Sequence, residues 1–331
     1  MSAPPSRTDL AGTPTVATYK IAIGALYDYV ASLLGNGTAT IATNAEQVKA
    51  REYLGVGATG FKNRLVNPEF MIDQENAGAS VSVPVSASVK FVVDQWYALS
   101  TGATITSQQV AGIGDRQNSL RFTGAAGNTG LTLGQRIEAS SCADFKNQVV
   151  TASLKTKVSN AKTVTWTASY ANVADNFTAV TQIATGTFDA TTSATGFNFS
   201  FNAGANAGNG LLITFSITSL LASETIEFDQ MQFEKSSVAT EFQSRSEQQE
   251  LAICQRYWEY GYASIRGVAS SNVGITVTFA VRKRTAPTIS LITVSGTGFT
   301  TSSVTESYMF FFGGSASNGV LAANFIANAR L

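Results

Sequence analysis

The sequence predicts a mainly β chain built on an antiparallel β-sandwich, with short helices before and after it and a small β-domain at its end. Three observations carry that expectation. Apolar residues recur at every second position in several runs after residue 61, the period of a half-buried strand. The runs are bounded by clusters of Gly, Asn, Thr and Ser, which read as turns. Charged residues are only 13% of the chain and hydrophobic ones 44%, so there is apolar material for packed cores and the polarity comes from Thr, Ser, Asn, Gln and Gly.

Residues 1–60 form the first region. Their opening is rich in Pro, Ser and Thr and lacks the apolar stretch of a secretion signal, so export by the ordinary route is not expected. Over 19–34, Tyr19, Ile23, Leu26, Tyr27, Val30, Leu33 and Leu34 fall at three- and four-residue steps. That spacing predicts an amphipathic helix, stopped by Gly35-Asn36-Gly37. A second helix is expected over 45–54, with Asn44 as its cap and Gln47 completing a capping box. Two short helices without helical neighbours are marginal alone. Leu26, Val30 and Leu33 are therefore expected to face copies of the same chain or a partner.

Residues 61–244 read as the sandwich, of a size that suits one jelly-roll domain. Val81, Val83, Val85, Ala87, Val89, Phe91 and Val93 alternate with mostly polar residues. Phe197, Phe199 and Phe201 do the same, and so do Leu211, Ile213, Phe215 and Ile217. Residues 245–261 break the alternation. There Glu250, Leu251, Cys254, Tyr257 and Trp258 recur at helical spacing, and Ser246 with Gln249 predicts a capping box. This helix is expected to connect the sandwich to a C-terminal β tip, 262–331. In the tip, Val273, Ile275, Val277, Phe279 and Val281 alternate, Met309-Phe310-Phe311-Phe312 is a short apolar run, and 324–331 reads as a closing strand. A region of about 70 residues buries a thin core, so contacts between copies are expected to support it.

Composition excludes several functions. With 22 basic and 22 acidic residues the formal charge is zero, which leaves no basic footprint for nucleic acid. No run approaches the ~18 apolar residues of a spanning helix, so membrane insertion is not expected. The chain has no histidine, and Cys142 and Cys254 stand far apart. A Cys/His zinc site and a Ser–His triad are thereby excluded, and both cysteines read as buried free thiols. Gly112-Ile113-Gly114 lacks the spacing of a phosphate or dinucleotide loop and reads as a turn. No catalytic, cofactor or metal residue is assigned, and the chain is expected not to be an enzyme. Two alternatives stand beside that reading. A glycosidase pair would be drawn from Glu138, Asp144, Asp115 and Asp175. A structural calcium ion would be drawn to Asp73, Asp94 and Glu234, although no loop of alternating acidic ligands is present.

Four stretches carry a family resemblance. Asn63-Arg-Leu-Val-Asn-Pro-Glu-Phe-Met-Ile-Asp-Gln74, followed by Asp94-Gln-Trp96, resembles the start of jelly-roll domains in tail-fibre and minor tail proteins of tailed bacteriophages. Glu227-Phe-Asp-Gln-Met-Gln-Phe-Glu-Lys-Ser-Ser-Val-Ala-Thr-Glu-Phe242 is similar to the last strand of that domain. Glu250-Leu-Ala-Ile-Cys-Gln-Arg-Tyr-Trp258 is similar to the helix after it, and Phe325-Ile-Ala-Asn-Ala-Arg-Leu331 to the closing strand. Arg330 departs from the pattern, which usually has an acid there. The resemblance covers 62–331. It implies a homotrimeric virion protein with a carbohydrate-binding-module-like sandwich, made in the host cytoplasm and released by lysis. It also implies that residues 1–60 dock to other virion proteins while the outer parts attach to a host-surface glycan or protein. A purely structural neck, collar or capsid decoration protein is the alternative, and a glycan depolymerase the third reading.

Particular side chains follow from this. Trp96 is read as core, with a groove wall as the alternative. Trp166, Tyr170 and Tyr308 are the ligand-binding candidates, because aromatic rings stack on sugar faces. Leu251, Cys254, Tyr257 and Trp258 join Leu26, Val30 and Leu33 as candidates for the seam between copies, with packing onto the chain's own sandwich as the alternative. Arg282-Lys283-Arg284 is the densest basic cluster and reads as a solvated strand end or a contact for an anionic glycan. For Tyr308 and Phe310 to Phe312 core is the expected place, a tip surface the alternative.

Overall fold

The computed structural model describes residues 62–113, 116–267, 272–295, 297–314 and 319–331. The helices expected within 1–60, and with them Leu26, Val30 and Leu33, lie outside the described residues. The first strands are β1 (Val81–Val83), β2 (Lys90–Val93), β3 (Trp96–Thr101), β4 (Ile105–Ala111), β5 (Asn118–Thr123) and β6 (Gly130–Ile137). They are followed by β7 (Val149–Val158), β8 (Lys162–Val173), β9 (Asn176–Ala190), β10 (Thr195–Asn202), β11 (Leu211–Ile217) and β12 (Thr225–Glu234). Two six-stranded antiparallel sheets result, ordered β1-β4-β5-β12-β7-β10 and β2-β3-β6-β11-β8-β9. They pack face to face as a jelly-roll sandwich.

Period two decides what goes inside. Leu211, Ile213, Phe215 and Ile217 on β11 all point between the sheets and are buried, as their alternation predicts. The run from Val81 to Val93 is divided instead of forming one strand. Pro84 has no N–H to extend a ladder, and Ser88 N–H closes a turn onto Ser86 Oγ at 2.9 Å. The chain crosses between sheets there, so β1 joins one and β2 the other, and Val85 is left exposed. Phe197, Phe199 and Phe201 are only partly buried because β10 is an edge strand. They close the side of the sandwich by stacking, Phe188 on Phe197 and Trp166 on Phe199 with ring centroids 4.2 and 3.8 Å apart.

The motif stretches meet in one buried network. β12 changes register between Asp229 and Gln232, with Gln230 in a left-handed conformation (φ 49°). The freed backbone groups take partners from the opening motif. Asn63 Nδ2 donates to Met231 O at 2.9 Å, Phe233 N–H donates to Asn63 Oδ1 at 3.0 Å, and Met231 N–H donates to Pro68 O at 3.0 Å. Asn67, also left-handed, donates its side-chain amide to Ile72 O and Asp94 O, and its carbonyl accepts the Trp96 indole N–H at 2.9 Å. Asn67 N–H reaches Glu250 of the following helix at 2.5 Å. Buried polar groups must be paired in this way, so the motif residues act here as a clamp that ties the start, the last strand and the helix together. Trp96 is core, fully buried against Phe70.

Helix α1 (Ala139–Cys142) is a single turn after β6, and α2 (Glu247–Gln255) follows the sandwich. The expected capping box is present on α2, with Gln249 N–H on Ser246 Oγ and Ser246 N–H on Gln249 Oε1. The helix is shorter than its spacing suggested. Tyr257 lies beyond it, and Trp258 opens strand β13 (Trp258–Gly267), where aromatic residues at alternate positions favour a strand.

The C-terminal β-domain adds β14 (Asn272–Thr278), β15 (Thr288–Ser295), β16 (Thr297–Ser302), β17 (Tyr308–Gly314) and β18 (Gly319–Asn328). They make two three-stranded sheets, β13-β18-β15 and β14-β17-β16. Their shared core is Ala263, Phe279, Met309, Phe311, Ala323, Phe325 and Ala327. Gly261 is required beside it, since a Cβ there would stand 2.2 Å from the Phe325 ring. The apolar run on β17 does not go inside whole. Met309 and Phe311 are buried, whereas Tyr308 and Phe310 alternate with them onto the outer face. The closing strand starts earlier than expected, at Gly319, and ends at Asn328.

Candidate functional site

The joint between sandwich and C-terminal β-domain accounts for most of the expected seam residues. Cys254, Tyr257 and Trp258 are buried under their own chain, and Leu251 is partly covered, so the packing alternative describes these residues. Glu138, at the end of β6, receives Arg256 Nη2 and the Tyr257 hydroxyl, both at 2.9 Å. Burial, with the Glu138 carboxylate next in weight, pushes the Tyr257 phenol well above its ordinary pKa. Lys283 is 1% exposed; its ammonium donates to Glu259 and to Gln255 O, and burial lowers its pKa. Arg284 Nε donates to Ala329 O at 3.0 Å. The basic cluster is therefore no solvated strand end beyond Arg282, which pairs with Glu306 in the open.

The last residues leave β18 and return to the sandwich. Ala329 N–H donates to Tyr257 O at 2.7 Å, and Arg136 donates to Leu331 O. Arg330 lies 4.1 Å above the Phe91 ring and donates to Glu75 at 2.7 Å. The basic penultimate residue thus has local partners: it meets an acid and an aromatic face on the sandwich.

The ligand-binding candidates separate. Trp166 is 9% exposed, and Phe199 covers one face of its ring, so it is core and does not offer a stacking surface. Tyr170 is half-buried beside that core; hydrogen bonds with Asn206 and Thr181 hold its phenol below its ordinary pKa. Tyr308 is 39% exposed and lines a shallow groove with Arg282, Ala286, Thr305, Glu306 and Ser307. The groove encloses about 360 Å³ and offers a ring face, the hydroxyls of Thr305, Ser307 and Tyr308, and an ion pair.

Sequence reading missed a second surface. Tyr260 and Tyr262 on β13 are 48% and 62% exposed and share one face, because they are two residues apart on a strand. Tyr262 lies opposite Asn324 and Tyr260 opposite Ile326. Alternation within Trp258-Glu-Tyr-Gly-Tyr262 was the available signal, hidden by reading the stretch as helix. Among the described residues, Tyr260, Tyr262, Tyr308 and Phe310 are the exposed large aromatics, and all four belong to the C-terminal β-domain.

The acidic candidates sit in separate supporting roles. Asp144 pairs with Arg64 at 2.9 Å, Asp175 accepts Ala139 N–H at 2.7 Å, and Asp115 lies outside the described residues. Asp73 accepts Asn76 and Gly78 N–H, Asp94 accepts Gln74, and Glu234 accepts Thr240. Among the described residues no group of three is placed to hold a metal ion. Cys142 and Cys254 are buried and unbridged, and burial pushes the Cys142 thiol up to about 12.

No family model and no curated protein matches the sequence. Solved structures do. A CBM4 module is 16% identical, with 51% of this chain and 97% of that one covered and a TM-score of 0.32. A family 11 carbohydrate-binding module from Clostridium thermocellum is 11% identical, with coverage of 49% and 98% and a TM-score of 0.33. The enzymatically active domain of tailspike protein 4 from bacteriophage CBA120 is 11% identical, with coverage of 52% and 21% and a TM-score of 0.33. These likenesses concern the fold alone.

Proposed function

We propose that this chain is an attachment protein of a bacteriophage virion, a fibre-like homotrimer whose C-terminal β-domain meets a glycan or protein on the host surface. The observation that supports this reading is that, among the described residues, the four exposed large aromatics all stand on that domain. Tyrosine combines an apolar face with a polar tip and suits wet interfaces. Residues 1–60 would dock the trimer to other virion proteins. Three weak sites on one rigid body then act together, and avidity supplies the firmness that a single contact lacks. A neck, collar or decoration role is the second reading. It is favoured by the clamped joint at Glu138, Lys283 and Arg330, which suits a rigid spacer.

Labelled full-length protein, confirmed as a trimer by sedimentation, is added to intact bacterial cells. Binding is expected, and the double variant Tyr262→Ala, Tyr308→Ala should reduce it at least tenfold. A trimer that binds no strain susceptible to the parent phage moves the assignment to the structural role. Binding unchanged in the variant removes the C-terminal β-domain as the contact region.

A further inference from the structure

The sandwich carries a cleft of about 490 Å³, lined by Glu69, Met71, Gln109, Gln117, Asn118 and Glu247, among others. Its size falls in the range of small-molecule sites, about 300–1,000 Å³. Four separate segments build it: the clamped turn after Asn67, β4, the start of β5, and the entry to α2. The clamp and the capping box hold two of its walls.

We infer that this cleft is a saccharide site, binding a neutral sugar through a vicinal diol on Glu69. The inference rests on the glycan reading of the attachment function and places a second site on each chain. Glu69 is 6% exposed. Its Oε1 accepts the Ser244 hydroxyl. A carboxylate lining the cleft can accept hydrogen bonds from the hydroxyl groups of a sugar placed there. Gln109, Gln117 and Asn118 add planar amides, each able to donate and accept, which is what a sugar hydroxyl requires of its neighbours. The Gln109 amide is already oriented, donating to Phe70 O at 2.5 Å. Arg245 is taken up by the buried Glu250, which leaves Arg116 beside the two carboxylates Glu69 and Glu247. A polyanion would face two carboxylates, and a lipid tail would find Met71 alone as apolar wall. A neutral polyol meets neither obstacle.

The test uses the full-length protein and a panel of neutral gluco-, galacto-, manno- and xylo-oligosaccharides, read by saturation-transfer NMR and titration calorimetry. At least one should bind wild type. Glu69→Gln and the exposed-site variant Gln117→Ala should each weaken that binding, the first roughly tenfold, the factor set by 1.4 kcal/mol. Val173→Ala, exposed at the end of β8 and outside the cleft, should leave it unchanged. Oligosaccharide binding lost in Tyr308→Ala and kept in both cleft variants overturns the cleft and leaves glycan attachment standing. No oligosaccharide bound while cell adsorption persists overturns the cleft and redirects the attachment reading to a protein receptor. Loss of neither in any variant places the sugar elsewhere and overturns the cleft as well.

Discussion

In the sandwich every described large aromatic side chain is at least partly covered, whereas the C-terminal β-domain leaves Tyr260, Tyr262, Tyr308 and Phe310 exposed. The first region has a continuous core that includes Phe70, Trp96, Phe122, Phe145, Phe215, Phe228 and Phe233. The second has Phe279, Phe311 and Phe325 with Met309 and three alanines. Both are antiparallel and both alternate. The difference is size: three-stranded sheets have one inner face each and little to fill it, so the second aromatic of each pair goes outward. A thin core with an apolar exterior is a fragile scaffold well furnished for contact.

The largest expected effect breaks this contrast at its weak side. Phe325→Ala removes a side chain 2% exposed from the smaller core, a change that typically costs about 3–5 kcal/mol. Phe215→Ala in the sandwich deletes the same chemistry. Calorimetry should find the C-terminal β-domain unfolded in the first variant with the sandwich transition retained. The second should lower the sandwich transition without abolishing it. A single joint loss in Phe325→Ala would mean that the two regions share one cooperative core.

Next comes the joint. Glu138→Gln removes the charge that Arg256 and Tyr257 share. Arg256 is partly exposed, so solvent screens part of the loss, and about 1–2 kcal/mol is expected. Limited proteolysis between 255 and 262 should accelerate, while the sandwich transition stays near its wild-type temperature. Unchanged cleavage would show that Lys283, Arg284 and Arg330 hold the joint without Glu138.

Much of the sandwich was legible from period two alone, because its strands have one wet and one dry face. Leu211 to Ile217 is the clearest case. Legibility failed where the chain changes sheet: nothing in the alternation from Val81 to Val93 marks the crossing except Pro84. It failed again at Trp258, where helical and strand spacing overlap over a few residues and the strand is decided by pairing with β18. Tyr308 was found as a candidate because it is an aromatic in a β run. Trp166 was chosen on the same ground and proved buried, since its cover, Phe199, comes from the other sheet. The cleft was invisible because its walls come from segments up to about 180 residues apart, as Asn67 and Glu250 illustrate.

A smaller effect separates the regions by pH. Burial raises the Asp94 and Asp229 carboxyls, both in the sandwich, from their ordinary 3.8 to about 6. Hydrogen bonds from Gln74 and Gln230 offset only part of that burial. A carboxyl that holds its proton more tightly when folded contributes stability that is complete below about pH 4 and lost as pH rises through about 6. Asp94→Asn, neutral throughout, should flatten the sandwich's melting temperature across that window relative to wild type. Curves that run parallel would sink the assignment of the dependence to Asp94.

The smallest effect on stability is the one that tests what the exposed aromatics are for. Tyr262 is 62% exposed on the outer face of β13, away from Ala263 and Phe325. Truncation to Ala there removes little buried surface, so unfolding should shift by no more than about 0.5 kcal/mol. If these tyrosines were only overflow from a small core, nothing else would change. If they form the contact surface, cell adsorption by Tyr262→Ala should fall several-fold at unchanged stability and unchanged trimer mass. A variant that loses its trimer instead would assign the β13 face to the seam between copies and leave the Tyr308 groove as the surface that meets the host.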